Sequence, residues 1–143
     1  MLAGALDLAE LSTGGRLEIG PFRAETWLLP HWVPNVGLRL AAGELVLAYT
    51  GDCGPSPLLA ELAAQADLLL AEASYVDQVP EDSQRYLSSV AQAGRWAAPA
   101  GAGHLLLTHL LPGTDPAAAQ GAATDHYTGH IGVAAPGLVL DLQ

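Results

Sequence analysis

The stretch Leu45-Val46-Leu47-Ala48-Tyr49-Thr50-Gly51-Asp52-Cys53-Gly54-Pro55 decides the fold of this chain. It is an apolar run followed by a glycine-containing turn, which is typical of a buried strand whose end carries one aspartate, Asp52. A second apolar run, Leu105-Leu106-Leu107-Thr108-His109, ends in a histidine in the same way. A third stretch, 30–37, sets His31 at the start of a strand-like segment. Polar residues at strand ends meet at the rim of a sheet, so the sequence predicts a site there.

The order of apolar runs and turns predicts an α/β (α+β) fold. The run 68–71 shows no polar alternation, as expected for a strand that is covered on both faces. Two pairs, Ser56-Pro57 and Asp115-Pro116, combine a helix-capping residue with a proline at the first helical position. A short apolar segment covers 6–11, predicted strands cover 16–19, 22–29, 36–41, 44–50, 67–73, 104–109, 131–134 and 138–142, and predicted helices cover 56–66, 83–98 and 115–123. This order predicts a mixed sheet with helices on one face.

The composition predicts one acidic domain. The chain has 143 residues, which fit a single domain, 1–143, and half of them are hydrophobic. The net charge is −10, so the surface repels phosphate backbones and anionic membranes, and we expect neither nucleic acid nor a membrane as a partner. Cys53 is the single cysteine, which excludes an intrachain disulfide. The sequence has no basic leader and no apolar run of about 18 residues, so we expect a soluble cytoplasmic protein.

Three residues are candidates for a shared metal site: His31, Asp52 and His109. Taken singly, each has an ordinary structural explanation, because aspartates satisfy backbone donors in Gly-Asp turns and histidines often end strands or cap turns. Taken together, two imidazoles and one carboxylate at strand ends are a ligand set suited to zinc, manganese or iron.

Other polar residues leave alternatives open. Glu72 emerges from a buried strand, so it either orients a histidine or is an ordinary solvated strand end. His126 and His130 are four residues apart, but Gly129 between them disfavours the helical geometry of a metal pair. Cys53 is either a nucleophile activated by the following helix or a small residue that fills the turn.

Four motifs, in this order, resemble the C-terminal part of metallo-β-lactamase-fold hydrolases, in the branch related to ribonuclease Z. They are His31-x-Val-Pro-Asn-x-Gly-x-Arg, Tyr-Thr-Gly-Asp52-Cys-Gly-Pro, Leu-Leu-Leu-Ala-Glu72-Ala-Ser and Leu-Leu-Leu-Thr-His109-Leu. The resemblance extends from about Ala5 to Leu142.

The resemblance implies a role for each motif. His31 and His109 would be histidine ligands, Asp52 would be the carboxylate that bridges two metals, and Glu72 would support a catalytic histidine. The implied reaction is hydrolysis, in which a metal-bound hydroxide attacks an ester, amide or phosphodiester. Tyr86 stands where the related branch has a histidine. If catalysis proceeds without a metal, Tyr86, Glu72 and Asp52 are the acid–base candidates.

The sequence also departs from the family pattern. It contains no His-x-His-x-Asp-His motif, which supplies most ligands from the first half of the family fold, and it starts about where that half would end. We therefore expect at most one zinc ion and a half or shortened αββα sandwich. Half a sandwich leaves one sheet face open, and the apolar runs 68–70 and 105–107 predict that a second copy of the chain, or a partner chain, covers that face.

Three functions remain open. The first is a shortened metal-dependent hydrolase, or a relative recruited to another reaction, that acts on a small-molecule substrate. The second is a non-catalytic relative that binds a small molecule or a partner in the same cleft. The third is a subunit whose missing ligands are supplied by a separate chain. The acidic surface argues against a tRNA substrate.

Overall fold

The computed structural model describes residues 10–142, which form one seven-stranded sheet and three helices. The strands are β1 (Arg16–Ile19), β2 (Phe22–Leu29), β3 (Asn35–Ala42), β4 (Leu45–Tyr49), β5 (Leu68–Glu72), β6 (His104–Thr108) and β7 (His130–Val133). The helices are α1 (Leu58–Ala63), α2 (Val90–Ala100) and α3 (Pro116–Thr124). The apolar segment predicted over 6–11 lies almost entirely outside the described residues. None of the described helices is long and apolar enough to cross a membrane.

The strands lie in sequence order across the sheet, and the pairing changes once, at β4, from antiparallel to parallel. Strands β1 to β4 are antiparallel neighbours, and the turn at Gly43, with a φ of 64°, joins β3 to β4 in a hairpin between the predicted strands 36–41 and 44–50. Strands β4 to β7 are parallel neighbours that are connected through α1, α2 and α3. Right-handed crossovers that all advance in one direction put their helices on one face. The predicted mixed sheet with helices on one face is therefore confirmed.

The core lies between the helices and the adjoining sheet face. Leu69 of β5 and Leu105 and Leu107 of β6 are almost completely buried there. The helices contribute mostly alanine and leucine, which allows close approach to the sheet: Leu59, Leu62, Ala63, Ala93, Ala97, Ala119 and Ala123. Each fully buried leucine contributes about 1.5–3 kcal/mol of hydrophobic stabilisation.

The second helix begins at Val90, so the prediction that it starts at Ser83 is wrong. The segment 83–87 makes a single turn, in which the Leu87 amide donates to the Ser83 carbonyl at 3.0 Å. The chain is then extended at Ser89, whose side chain and that of Gln92 form a reciprocal capping box. The extended segment is held by the Ser88 amide, which donates to the carboxylate of Glu72, and by the Val90 amide, which donates to the Tyr75 carbonyl at 2.8 Å.

The predicted end of the first helix and the predicted last strand are also wrong. The first helix ends at Ala63 rather than Ala66, because Gln65 has a left-handed φ of 50° and its backbone N–H donates to the Ala100 carbonyl at 2.8 Å. The predicted strand 138–142 is absent from the part of the chain that the structure describes. The chain turns at Gly137, with a φ of 82°, and the preceding proline cannot donate to a strand ladder.

The sheet face opposite the helices is apolar. Side chains alternate between the faces of a strand. The arginines and glutamates of β1 to β3, for example Arg16, Glu25 and Arg39, share the helix side in cross-strand register. We call the other surface the open sheet face and define it by residues that alternate with the charged and core positions: Leu17, Ile19, Phe22, Leu28, Val36, Leu38, Leu40, Leu45, Leu47, Tyr49, Leu68, Leu70 and Leu106. No described helix packs on it.

Candidate active site

The candidate site lies at the rim where the parallel strands β4, β5 and β6 end. Asp52 follows β4, Glu72 is the last residue of β5, and His109 follows β6 directly. Because neighbouring parallel strands end at the same edge, these three side chains meet. The Nε2 atom of His109 is 3.6 Å from Oδ2 of Asp52, and its Nδ1 atom is 3.7 Å from Oε1 of Glu72.

The turn after β4 presents Asp52 to the rim. Gly51 has a φ of 59°, a backbone conformation that residues other than glycine rarely adopt. A Cβ atom on Gly51 would lie 2.2 Å from Oδ1 of Asn35, whose Nδ2 donates to the Thr50 carbonyl at 3.0 Å. The Thr50 hydroxyl donates to the Gly51 carbonyl and accepts from the Glu72 amide at 2.9 Å. These bonds tie the Asp52 turn to the neighbouring strands.

Glu72 is a buried carboxylate with three donors. Only 2% of the residue is exposed, which excludes an ordinary solvated strand end. Its Oε1 accepts from the amide of Ser74 at 3.0 Å and from the Ser74 hydroxyl at 2.5 Å, and its Oε2 accepts from the Ser88 amide. Burial raises the pKa of Glu72 above its usual value, while these hydrogen bonds and nearby His109 oppose that rise.

His109 is held in a strained backbone conformation. Its φ of 61° is in the left-handed region, which costs a non-glycine residue of order 1 kcal/mol. Its Nδ1 atom is 2.9 Å from the Ser74 hydroxyl oxygen. The side chains of His109 and Asp52 are 45% and 42% exposed, so a ligand from solution can reach both.

His31 and Tyr86 occupy a neighbouring position. The Nδ1 atom of His31 is 2.9 Å from the Tyr86 carbonyl oxygen, and the Tyr86 ring packs against Trp32 with 4.9 Å between centroids. Within residues 10–142, no three His, Cys, Asp or Glu side chains are grouped so that they could hold a metal ion. Of the three predicted ligands, the structure thus brings Asp52 and His109 together and does not add His31 to a ligand group with them.

The remaining candidates from the sequence lie elsewhere or are buried. Cys53 is 1% exposed, and burial, followed by the charge of Glu72, raises the pKa of its thiol to about 12. This environment favours the turn-filling alternative over the nucleophile. His130 begins β7, beside His104 at the start of β6, with 5.6 Å between ring centroids. That pair is at the opposite end of the parallel strands from Asp52.

Sequence reasoning missed two serines of the site, Ser74 and Ser88. Ser74 bonds both Glu72 and His109, and the Ser88 hydroxyl donates to the Cys53 carbonyl at 2.7 Å. The one available signal was the Ser-x-x-Gln pattern 89–92, a helix start that would have left Ser88 outside the helix.

Comparisons with known proteins give the chain a family. A family model described as a beta-lactamase superfamily domain matches residues 2–110. An uncharacterized protein of Mycobacterium leprae (strain TN) is 31% identical over 138 residues, which are 96% of this chain and 48% of that protein. Ribonuclease Z of Myxococcus xanthus (strain DK1622) is 37% identical over 99 residues, which are 67% of this chain and 32% of that enzyme.

The Bacillus subtilis protein YhfI, named a probable metallo-hydrolase, matches in both sequence and structure. It is 34% identical over 94 residues, which are 66% of this chain and 38% of YhfI. The crystal structure of YhfI, a metallo-beta-lactamase fold protein, matches with a TM-score of 0.83 and 27% identity, covering 90% of this chain and 53% of that one. This chain therefore spans about half of these proteins' length or less. The matched family model and the shared fold show that the chain belongs to the beta-lactamase superfamily domain family and has the metallo-β-lactamase fold.

Proposed function

We propose that this chain carries part of the active site of a metal-dependent hydrolase that acts on a small molecule. The observation that carries the proposal is the pair formed by Asp52 and His109, whose side chains face each other across 3.6 Å at the sheet rim. Glu72 lies behind His109 and is buried. Histidines that bind metals are usually held from behind by a carboxylate or another hydrogen-bond partner. The relative named a probable metallo-hydrolase supports the same chemistry.

The donor chemistry of this pair fits one zinc ion. Nitrogen and oxygen ligands bind zinc at about 2.1 Å, so two ligand atoms of one tetrahedral ion are separated by about 3.4 Å. The distance from His109 Nε2 to Asp52 Oδ2, 3.6 Å, is close to that value. A catalytic zinc takes three protein ligands, so the pair leaves a position for His31, the predicted third ligand, or for a residue of another polypeptide.

Each residue of the site has a proposed role. Asp52 and His109 hold the ion, and Glu72 holds His109 through Ser74. When bound, the metal supplies a water whose proton is lost near neutral pH. Asp52, Glu72 and Tyr86 are the acid–base candidates for proton transfer to the leaving group. The Tyr86 hydroxyl acts only on substrates that reach the ring stack of Tyr86 and Trp32.

A small, partly apolar substrate fits this surface better than a nucleic acid. An open groove of about 680 Å³ lies beside His31 and is lined mainly by apolar residues, among them Leu28, Trp32 and Val33. Trp32 and Val33 are 55% and 62% exposed, so they are available to contact a ligand. The net charge of −10 disfavours a long polyanion at the same surface.

We also propose a second copy of the chain as the partner that covers the open sheet face. Ile19, Phe22, Leu28 and Leu45 on this face are between 37% and 51% exposed, while the charged residues of β1 to β3 lie on the other side of the sheet. Exposed apolar surfaces of this kind mark interfaces. The part of this face formed by β1 to β4 carries no charge, so it is complementary to itself, as a two-fold dimer requires.

A non-catalytic relative that binds a small molecule is the second candidate. The observation that favours it is the absence, among residues 10–142, of a third metal-ligating side chain grouped with Asp52 and His109. In that case the groove beside His31 would retain the ligand while hydrolysis is lost.

Metal content per chain separates the two candidates. The protein, purified without chelator or histidine tag, is equilibrated with zinc and its bound zinc is measured after gel filtration. We expect close to one ion per chain, lost in Asp52→Ala and in His109→Ala. The control is His130→Ala, because His130 is an exposed histidine at the opposite end of the strands. Binding that depends on His130 instead, or no binding at all, would refute the metal site. Ester and phosphodiester hydrolysis is then assayed with the zinc-loaded protein.

A further inference from the structure

Ser74 connects the buried carboxylate of the site to its histidine. It is 1% exposed, and its hydroxyl oxygen is 2.5 Å from Glu72 Oε1 and 2.9 Å from His109 Nδ1. A serine hydroxyl has one hydrogen to donate and two lone pairs with which to accept. Ser74 can therefore donate to only one of these neighbours, and the other bond must run toward its oxygen.

The Glu72 side decides where the Ser74 hydrogen lies. Backbone amides can only donate, and they occupy both oxygens of Glu72, from Ser74 on Oε1 and from Ser88 on Oε2. Donors aimed at both oxygens favour the ionised carboxylate, which can only accept. Burial acts in the opposite sense and raises the pKa of Glu72, whereas the hydrogen bonds from Ser74 and Ser88 lower it, and the Ser74 hydroxyl is directed at Oε1. The Ser74 hydrogen is thus donated to Glu72.

The His109 side follows from this assignment. The Ser74 oxygen then has only lone pairs for Nδ1 of His109, so Nδ1 must carry a hydrogen and donate it. In the neutral imidazole the other nitrogen, Nε2, is left unprotonated. That lone pair faces Asp52 Oδ2 at 3.6 Å, which is longer than a hydrogen bond and consistent with no proton between them.

We propose that Ser74 is a positioning residue that fixes neutral His109 as the Nδ1–H tautomer and turns the Nε2 lone pair toward Asp52. Two acceptor atoms that face each other repel, and a cation between them removes the repulsion. Ser74 thereby prepares the pair for a metal ion before the ion arrives. The tautomer is a property of the free protein, whereas its consequence for metal binding rests on the proposed function.

The tautomer can be read directly from the nitrogen chemical shifts of the His109 ring. Protein with ¹⁵N-labelled histidine is studied without metal, in chelator, at pH 8.5, and the His109 signals are identified by their loss in His109→Ala. We expect a protonated Nδ1 and an unprotonated Nε2 in the wild type. In Ser74→Ala we expect the population to move toward Nε2–H, which is the commoner tautomer of free imidazole side chains. The control is Ser83→Ala, because the hydroxyl of Ser83 donates to Asp82 in an exposed position, away from the site.

Each result decides the proposal. A wild-type ring protonated on Nε2 overturns it, whatever the stability of the variants, and so does a folded Ser74→Ala protein with the wild-type tautomer. Zinc affinity measured on the same proteins separates this inference from the proposed function. A loss of about 10- to 100-fold in Ser74→Ala, without change in Ser83→Ala, supports both. A shifted tautomer with no zinc binding in any protein supports the positioning role and refutes the metal site.

Discussion

His109 adopts a left-handed backbone conformation that its side chain disfavours. The resulting loss of folding free energy is measurable. Glycine reaches a φ of 61° without a steric penalty, whereas alanine keeps the penalty. We expect His109→Gly to have a free energy of unfolding about 1 kcal/mol above that of His109→Ala in urea denaturation. Leu111 is an exposed loop residue without a positive φ, so there the alanine variant should be the more stable one. The same order at both positions would contradict strain at His109.

The buried thiol of Cys53 makes stability depend on alkaline pH. Its pKa is about 12 in the folded chain, against 9.0 for an unperturbed thiol, so above pH 9 the unfolded chain loses a proton that the folded chain keeps. The free energy of unfolding must then fall with pH, by at most about 1.4 kcal/mol per pH unit from this group. Burial also raises the pKa of Tyr49, which acts in the same direction.

Replacing Cys53 by alanine should remove its share of that pH dependence. Urea denaturation at pH 8, 9.5 and 10.5 should show a smaller decline in the free energy of unfolding for Cys53→Ala than for the wild type. The wild-type thiol should also stay unreactive toward a disulfide reagent at pH 8 until the chain unfolds. Parallel curves for the two proteins would show that the thiol ionises as easily in the folded state.

At the scale of elements, the turn between β4 and α1 places Asp52, and Gly51 is the residue of that turn with a left-handed φ. A methyl group there meets both an unfavourable φ and the side chain of Asn35. Gly43, in the β3–β4 hairpin, has a similar φ of 64° but nothing within 4 Å of an added Cβ atom. We expect Gly43→Ala to cost about 1 kcal/mol and Gly51→Ala roughly 2–3 kcal/mol, because only the latter adds overpacking.

A double variant separates the two costs at Gly51. Adding Asn35→Ala to Gly51→Ala removes the clash and leaves the backbone strain, so the second substitution should cost less in the Gly51→Ala protein than in the wild type. Stability is measured by urea denaturation, and zinc binding reports whether Asp52 is still presented. If Gly43→Ala and Gly51→Ala are equally destabilised, the close approach of Asn35 has no energetic weight.

The sequence predicts the elements wherever local chemistry sets them. The hairpin at Gly43 and the start of α3 at Asp115, whose side chain accepts from the Ala117 amide at 3.1 Å, are fixed by neighbouring residues. The beginning of α2 depends on bonds between residues distant in sequence, from Ser88 to Glu72, sixteen positions away, and from Val90 to Tyr75. Ser74 could not be predicted as a link to His109 because the two residues are thirty-five positions apart. Strand-end residues such as Asp52 were predictable, and bonds between distant strand ends were not.

At the scale of the whole molecule, the three described helices cover one side of the sheet. Seven strands about 4.8 Å apart, each about 13–26 Å long, present a face of roughly 600–700 Å². A standard interface buries about 800 Å² on each partner, so one sheet face is nearly enough for a stable contact. On β1 to β4, the residues of the open sheet face carry no charge, which is the opposite of what a solvated sheet face shows.

A charge placed on the open sheet face should therefore dissociate the proposed dimer. Leu28 is 51% exposed on this face, and Leu28→Asp would bury an unpaired carboxylate in the contact. Light scattering after gel filtration at micromolar concentration should give twice the chain mass of 14.7 kDa for the wild type and the chain mass for Leu28→Asp. Leu138→Asp is the matched control, because Leu138 is 45% exposed and lies outside every strand. A wild type that is monomeric under these conditions would exclude the second copy as the partner, and a dimer that survives Leu28→Asp would locate the contact on another surface.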